Sequence, residues 1–207
     1  MPGPDASTLR IAAGGDLGMT EEGKLMTSYL KDFDPDVIIL GGDTVYDNGL
    51  RTCYYNWDIF YSMFKPVYLH LNRLVPLVMS IGNHDVGFDA LDPVEISSTN
   101  EYLPLFFLYN PQHLSKDGKG VPPILERLSY HYHVIGPTVH FNLDSGYIQN
   151  YSSQVSFMQD GIKANPNHYL FANYHNPIFP VCANQAPDSN DAKVISQGTQ
   201  YWTPLFD

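Results

Sequence analysis

A chain of 207 residues, 43% hydrophobic and 16% charged, has the make-up of one folded domain, and no segment has the low hydrophobicity of a disordered tail. Eleven Lys and Arg against twenty-two Asp and Glu give a net charge of −11, which argues against a general nucleic-acid binder and leaves any anionic substrate to be held by metal. The longest apolar runs, around Val37–Leu40 and Leu103–Leu108, are too short to span a membrane, and Met1–Arg10 lacks the basic and apolar regions of a secretory leader, as would a mature chain whose leader had been removed.

The apolar run from Leu9 into Gly14-Gly15-Asp16 predicts a buried strand ending in a loop. Thr20-Glu21-Glu22 is a capping pattern, and Leu25, Tyr29 and Phe33 recur at helical spacing, so a helix is expected over about Glu21–Phe33, stopped by Asp34-Pro35-Asp36. Val37–Leu40 is a second strand running into Gly41-Gly42-Asp43. A helix over Trp57–Leu71 and a third strand over Val75–Ile81 follow, the latter delivering Gly82-Asn83-His84-Asp85. From Val86 to about Lys119 the chain reads as an irregular insertion with one helix near Asn100–Tyr109. Ser129–Ile135 and Thr138–Leu143, joined at Gly136-Pro137, predict two antiparallel strands. A helix over Tyr151–Ala164, a strand over Asn167–Tyr174 and a last helix over Asn190–Phe206 complete the pattern. Strand, loop and helix in alternation imply a parallel sheet, whose sites form at the carboxyl ends of its strands.

Four segments stand at such ends: Gly15-Asp16-Leu17-Gly18, Gly42-Asp43-Thr44-Val45-Tyr46, Gly82-Asn83-His84-Asp85 and Asn173-Tyr174-His175-Asn176-Pro177. They supply two carboxylates, a phenol, an amide oxygen and an imidazole. That set suits a pair of hard or borderline cations such as iron, zinc or manganese. Two metals sharing a carboxylate serve phosphate-ester hydrolysis, because one generates hydroxide while both offset charge on the transferring group. Any single Gly-Asp after a strand is explained well enough as a turn; the ordered set of four is not.

These residues resemble the calcineurin-like metallophosphoesterases, and within them the purple acid phosphatases. Most of that superfamily carries Asp-x-His in the first motif, where this chain has Gly18. The purple acid phosphatase branch replaces that His with a Tyr three residues after the second-motif Asp, where Tyr46 stands. The resemblance implies a four-layer α/β/β/α sandwich of two mixed sheets flanked by helices. It implies that Asp16 and Tyr46 hold Fe(III), that Asp43 bridges, and that Asn83 and His175 hold a divalent ion, Fe, Zn or Mn. It gives His84 the roles of phosphate contact and proton donor to the leaving alkoxide. The implied substrate is a small phosphate monoester, with a phosphodiesterase or nucleotide pyrophosphatase on the same site as the alternative. The compartment it suggests is secreted or lysosome- and vacuole-like.

Three departures from the family pattern stand out. Ala172 replaces a Val before the fourth motif. The loop Ile178–Asp191 has no His, so Asn184 and Gln185 are the remaining candidates for substrate contact there. A fifth motif, Gly-His-x-His, is absent, and the chain stops in Trp202–Asp207, which resembles the helix directly before it. The expectation is a single catalytic domain over 1–207, C-terminally incomplete, with its last strands missing and a non-catalytic, metal- or phosphate-binding role as a third reading. His131-Tyr132-His133 is the only other His-x-His; its side chains share one strand face, and it reads as a structural strand with ligation as the lesser alternative. Cys53 and Cys182 each stand seven residues past a ligand, Tyr46 and His175, which predicts that they lie near each other at the rim, bonded or not.

Overall fold

Four consecutive apolar residues without alternation mark a strand covered on both faces. Val37–Leu40 forms such a strand, β2, with all four residues buried. In the computed structural model, which describes residues 8–86, 105–110, 120–123, 126–182 and 189–206, β2 is the middle of a parallel three-stranded sheet, between β1 (Ile11–Gly14) and β3 (Leu77–Met79). Helices α1 (Glu21–Phe33) and α2 (Tyr55–Leu71) make the crossovers, and α3 (Phe106–Tyr109) is a single turn beyond β3. The second sheet holds β4 (His131–Ile135), β5 (Thr138–Asn142) and β6 (Tyr169–Asn173); β4 pairs antiparallel and β6 parallel with β5. Its outer helices are α4 (Val155–Ala164), α5 (Asn190–Tyr201) and α6 (Thr203–Phe206).

The two faces of β2 divide the core into layers. Ile38 and Leu40 pack with Trp57, Phe60 and Phe64 of α2 and Phe106 and Phe107 of α3. Val37 and Ile39 turn the other way, onto Val78 and, across the gap between sheets, Ile135 of β4. On the far side of the second sheet Val139 and Phe141 meet Met158 of α4 and Trp202. Helix, sheet, sheet and helix thus stack as four layers. Each fully buried Phe or Ile contributes roughly 1.5–3 kcal/mol by leaving water, so the α2 contact anchors the first sheet.

Several details differ from the sequence expectations. The first strand is an edge strand and not a buried one, with Ala13 and Gly14 exposed. Helix α1 starts where expected, Thr20 Oγ1 accepting from Gly23 N at 3.1 Å, yet its apolar residues face outward: Leu25 is 54% and Tyr29 56% exposed. Gly23 and Thr27 are the buried residues instead. A Cβ at Gly23 would stand 2.5 Å from Leu17 O, so close seating of the helix on the loop after β1 sets its rotation. The last helix divides at Trp202 into α5 and α6, because Pro204 has no N–H to carry the ladder through. The helix expected near Asn100–Tyr109 is seen as α3; residues 100–104 lie outside the described residues.

Candidate metal centre

Backbone pairing runs past the strand ends into the loops that carry the ligand residues. Gly41 N donates to Gly14 O (2.7 Å), Asp16 N to Gly42 O (3.1 Å) and Leu17 N to Asp43 O (3.1 Å), so the first two loops are zipped together beyond β1 and β2. The third is tied to the second by Asp85, which is fully buried. One carboxylate oxygen accepts from Thr44 N and Oγ1, both at 3.0 Å, and the other from Gly82 N at 2.9 Å. Asp16, Asp43, Tyr46 and Asn48 all have φ near +50°, in the left-handed region that costs a non-glycine residue energy. Strain of this kind, held by surrounding structure, collects at functional sites.

The loops bring five of the proposed site residues together. Ligand atoms of Asp16, Asp43 and His175 lie within 4.8 Å of one another, the one such group among the described residues. His175 Nδ1 is 3.2 Å from Gly41 O, which only accepts, so that nitrogen carries the proton. Nε2 then points its lone pair at Asn83 Oδ1 (3.0 Å) and Asp43 Oδ2 (3.4 Å). Electron-rich atoms facing one another in this way attract a cation, a proton or a metal. Burial alone would lower the pKa of His175, but Asp43, with Asp16 and Asp85 behind it, outweighs burial and raises it. Burial of Asp43 is likewise outweighed by His175 and His84, and its pKa falls. The donor set, oxygens with one imidazole, fits a hard or borderline metal ion.

Tyr46 completes the group from the second loop. Its ring edge lies 3.7 Å from where a Cβ on Gly18 would stand, so position 18 lies directly beside the Tyr46 ring. The phenol is pushed up to about 12 by burial and by Asp43, Asp16 and Asp85, so it ionises only when a cation joins it. Its ring stacks on His84, with centroids 4.6 Å apart. His84 N donates to Asp43 Oδ1 (2.9 Å), and Nε2 stands 4.0 Å from Asp43 Oδ2.

Sequence reasoning missed the residues that brace this centre. Asn48 Oδ1 sits 2.6 Å from His84 Nδ1, and Asn48 N donates to His84 O, so the imidazole is held with Nε2 toward the carboxylates. Asp47, fully buried, accepts from Gly49 N and Trp57 Nε1, and burial raises it to about 6. An Asp-x-Gly turn after the ligand loop is the signal for Asp47; no local signal marks Asn48. His131 and His133 lie elsewhere, on the face of β4 that carries Ile135 into the gap between the sheets, and they are not part of the metal-ligating group. Cys53 is half-buried, Cys182 exposed, and both are free thiols. Asn184 and Gln185 lie outside the described residues.

Comparison with known proteins bears on the family and the fold. A family model described as calcineurin-like phosphoesterase matches residues 9–197. Over 107 residues the chain is 29% identical to purple acid phosphatase 23 of Arabidopsis thaliana, a match covering 42% of this chain and 22% of that protein. The fold is similar to that of a purple acid phosphatase from yellow lupin (Lupinus luteus) seeds, with a TM-score of 0.58 at 15% identity, over 86% of this chain and 32% of that one. The chain therefore spans about a third or less of the length of these relatives.

Proposed function

From its membership of the calcineurin-like phosphoesterase family, we propose that the chain carries a two-metal centre that hydrolyses small phosphate monoesters. The observation that carries this reading is the convergence of Asp16, Asp43 and His175, with Asn83 Oδ1 and Tyr46 at its edge. Asp16 and Tyr46 would hold Fe(III), Asn83 and His175 a divalent ion, Fe, Zn or Mn, and Asp43 would bridge. When bound, such a pair activates water below neutral pH and offsets the charge of the phosphoryl group.

The chain's own residues account for the remaining steps. His84 presents Nε2 beside the carboxylates while Asn48 holds Nδ1, so proton exchange takes place on the site-facing nitrogen. There it donates a hydrogen bond to a phosphate oxygen and the proton that the leaving alkoxide needs. With Tyr46 stacked behind it, the imidazole cannot swing away. The buried Asp85 keeps the loops of Asp43 and of Asn83 and His84 in register.

Metal analysis, with turnover of p-nitrophenyl phosphate beside its bis-ester, tests the reading. Two bound metals and preference for the monoester support it; preference for the bis-ester would make the protein a phosphodiesterase, and no metal uptake would end the proposal. The Gly18 and Tyr46 arrangement further predicts a visible tyrosinate-to-iron band that Tyr46→Phe abolishes without unfolding the protein; an active, iron-free, colourless protein would sink the assignment of iron. Asn48→Asp should shift the basic limb of the pH–rate profile upward, since a carboxylate at Nδ1 favours the imidazolium. Asn48→Ala should cost about 10- to 100-fold in rate through a misplaced donor. Unchanged profiles in both variants would remove Asn48 from the mechanism.

A further inference from the structure

His175 differs from the other ligand residues in origin. Asp16, Asp43 and Asn83 follow strands of the first sheet, whereas His175 follows β6, an edge strand of the second. Residues Tyr169 to Phe171 of β6 are exposed. An edge strand has a neighbour on one side only, so something on that side must fix where its end points.

The segment after β5 does this around one buried carboxylate. Asp144, fully buried, accepts from Tyr147 N (2.7 Å), Ile148 N (3.0 Å), Gln149 N (2.7 Å) and Ser129 Oγ. Gln154 closes the turn from below, its Nε2 donating to Asp144 O at 2.8 Å and its Oε1 accepting from Asp144 N at 3.0 Å. Two groups of this turn reach the residue beside the ligand. Ser145 Oγ accepts from Asn176 N at 3.1 Å, and the Tyr147 hydroxyl donates to Asn176 Oδ1. The Tyr147 ring also lies against His175, with centroids 6.2 Å apart.

We propose that Tyr147, borne by the turn wound around Asp144, is a positioning residue for the metal centre: it clamps Asn176 and so fixes the direction of the His175 imidazole. The proposal rests on the metal-holding role given to His175 above. The plainer alternative is that Tyr147 only packs, since its ring also joins the core around α2. Tyr147→Phe separates the two by keeping the ring and removing the hydroxyl.

Zn2+ titration against a chromophoric chelator, on the metal-free full chain and its Tyr147→Phe, Asn176→Ala and doubly substituted forms, tests this. Tyr147→Phe and Asn176→Ala should each bind about 10-fold more weakly, the lower end of the loss typical for partners behind a ligand. The double variant should be no weaker than the weaker single one, because both act through the same contact. 15N spectra of the metal-free protein should show the His175 imidazole in a single environment in the parent and in exchange between two in Tyr147→Phe, which a packing role would not produce. Equal zinc affinity and an unchanged His175 signal in Tyr147→Phe would overturn the proposal and leave the metal centre standing. Additive losses in the double variant would also overturn it. A parent chain that takes up no zinc would overturn the metal centre, and this inference with it.

Discussion

Gly82→Ala is expected to lose the metal centre, with at least a 100-fold fall in turnover and about 1–3 kcal/mol of stability or more. A Cβ there would stand 2.3 Å from both the backbone N and the Oδ1 of Asp43. Neither atom is free to move aside: the nitrogen is backbone, and the oxygen belongs to the buried Asp43 carboxylate and already accepts from His84 N. The clash can be relieved only by parting the second and third loops, which also pulls Asp85 from Thr44. Gly14→Ala is the control. It lies two residues before Asp16, at the end of β1, and a Cβ there meets nothing within 4 Å. That variant should keep its activity and be unchanged or slightly more stable, since Ala restricts the unfolded chain. Comparing zinc uptake and urea midpoints of the two checks the argument; a Gly82→Ala protein that binds metal like the parent would show that the loops yield more easily than their geometry implies.

The candidate site residues were legible because the physics that places them at strand ends is local. A short apolar strand followed by Gly and a polar residue turns at its carboxyl end, as at Asp16, Asp43 and Asn83, and His175 stands just past the end of β6. The start of α1 was legible for the same reason, through the Thr20 cap. What decides the rest acts over long sequence separations. Periodicity finds the apolar side of α1 in Leu25, Tyr29 and Phe33, but the contact of Gly23 with Leu17 turns that side outward. Asn48 reaches His84 across 36 positions, and Tyr147 reaches Asn176 across 29. Nothing near either residue in the chain marks it as part of a site. His131 and His133 share one face of β4, as strand alternation predicts, but alternation does not say that this face looks into the gap between two sheets.

Stability in acid should depend on one histidine between those sheets. His140 is 1% exposed, with Nε2 2.9 Å from Thr138 Oγ1 and its ring stacked on Phe171 at 4.9 Å. Burial, and next His133 directly opposite on β4, pull its pKa down to about 4. In the unfolded chain it titrates near about 6.5, so protonation favours unfolding. The contribution is fully present above about pH 6.5 and is lost as pH falls toward about 4, a change on the order of 3 kcal/mol. Three buried carboxylates act with the opposite sign. Asp47, Asp85 and Asp144 are raised by burial, so their protonation favours the folded state and their effect declines as pH rises. The pH slope of the parent protein alone therefore mixes both signs. His140→Gln leaves the carboxylates in place, keeps a side chain that can bond Thr138, and cannot charge. Its urea midpoint should fall below that of the parent at pH 7.5, and the gap should close or reverse by pH 4.5. Parallel pH dependences for the two proteins would show that His140 is not the group that limits this fold in acid.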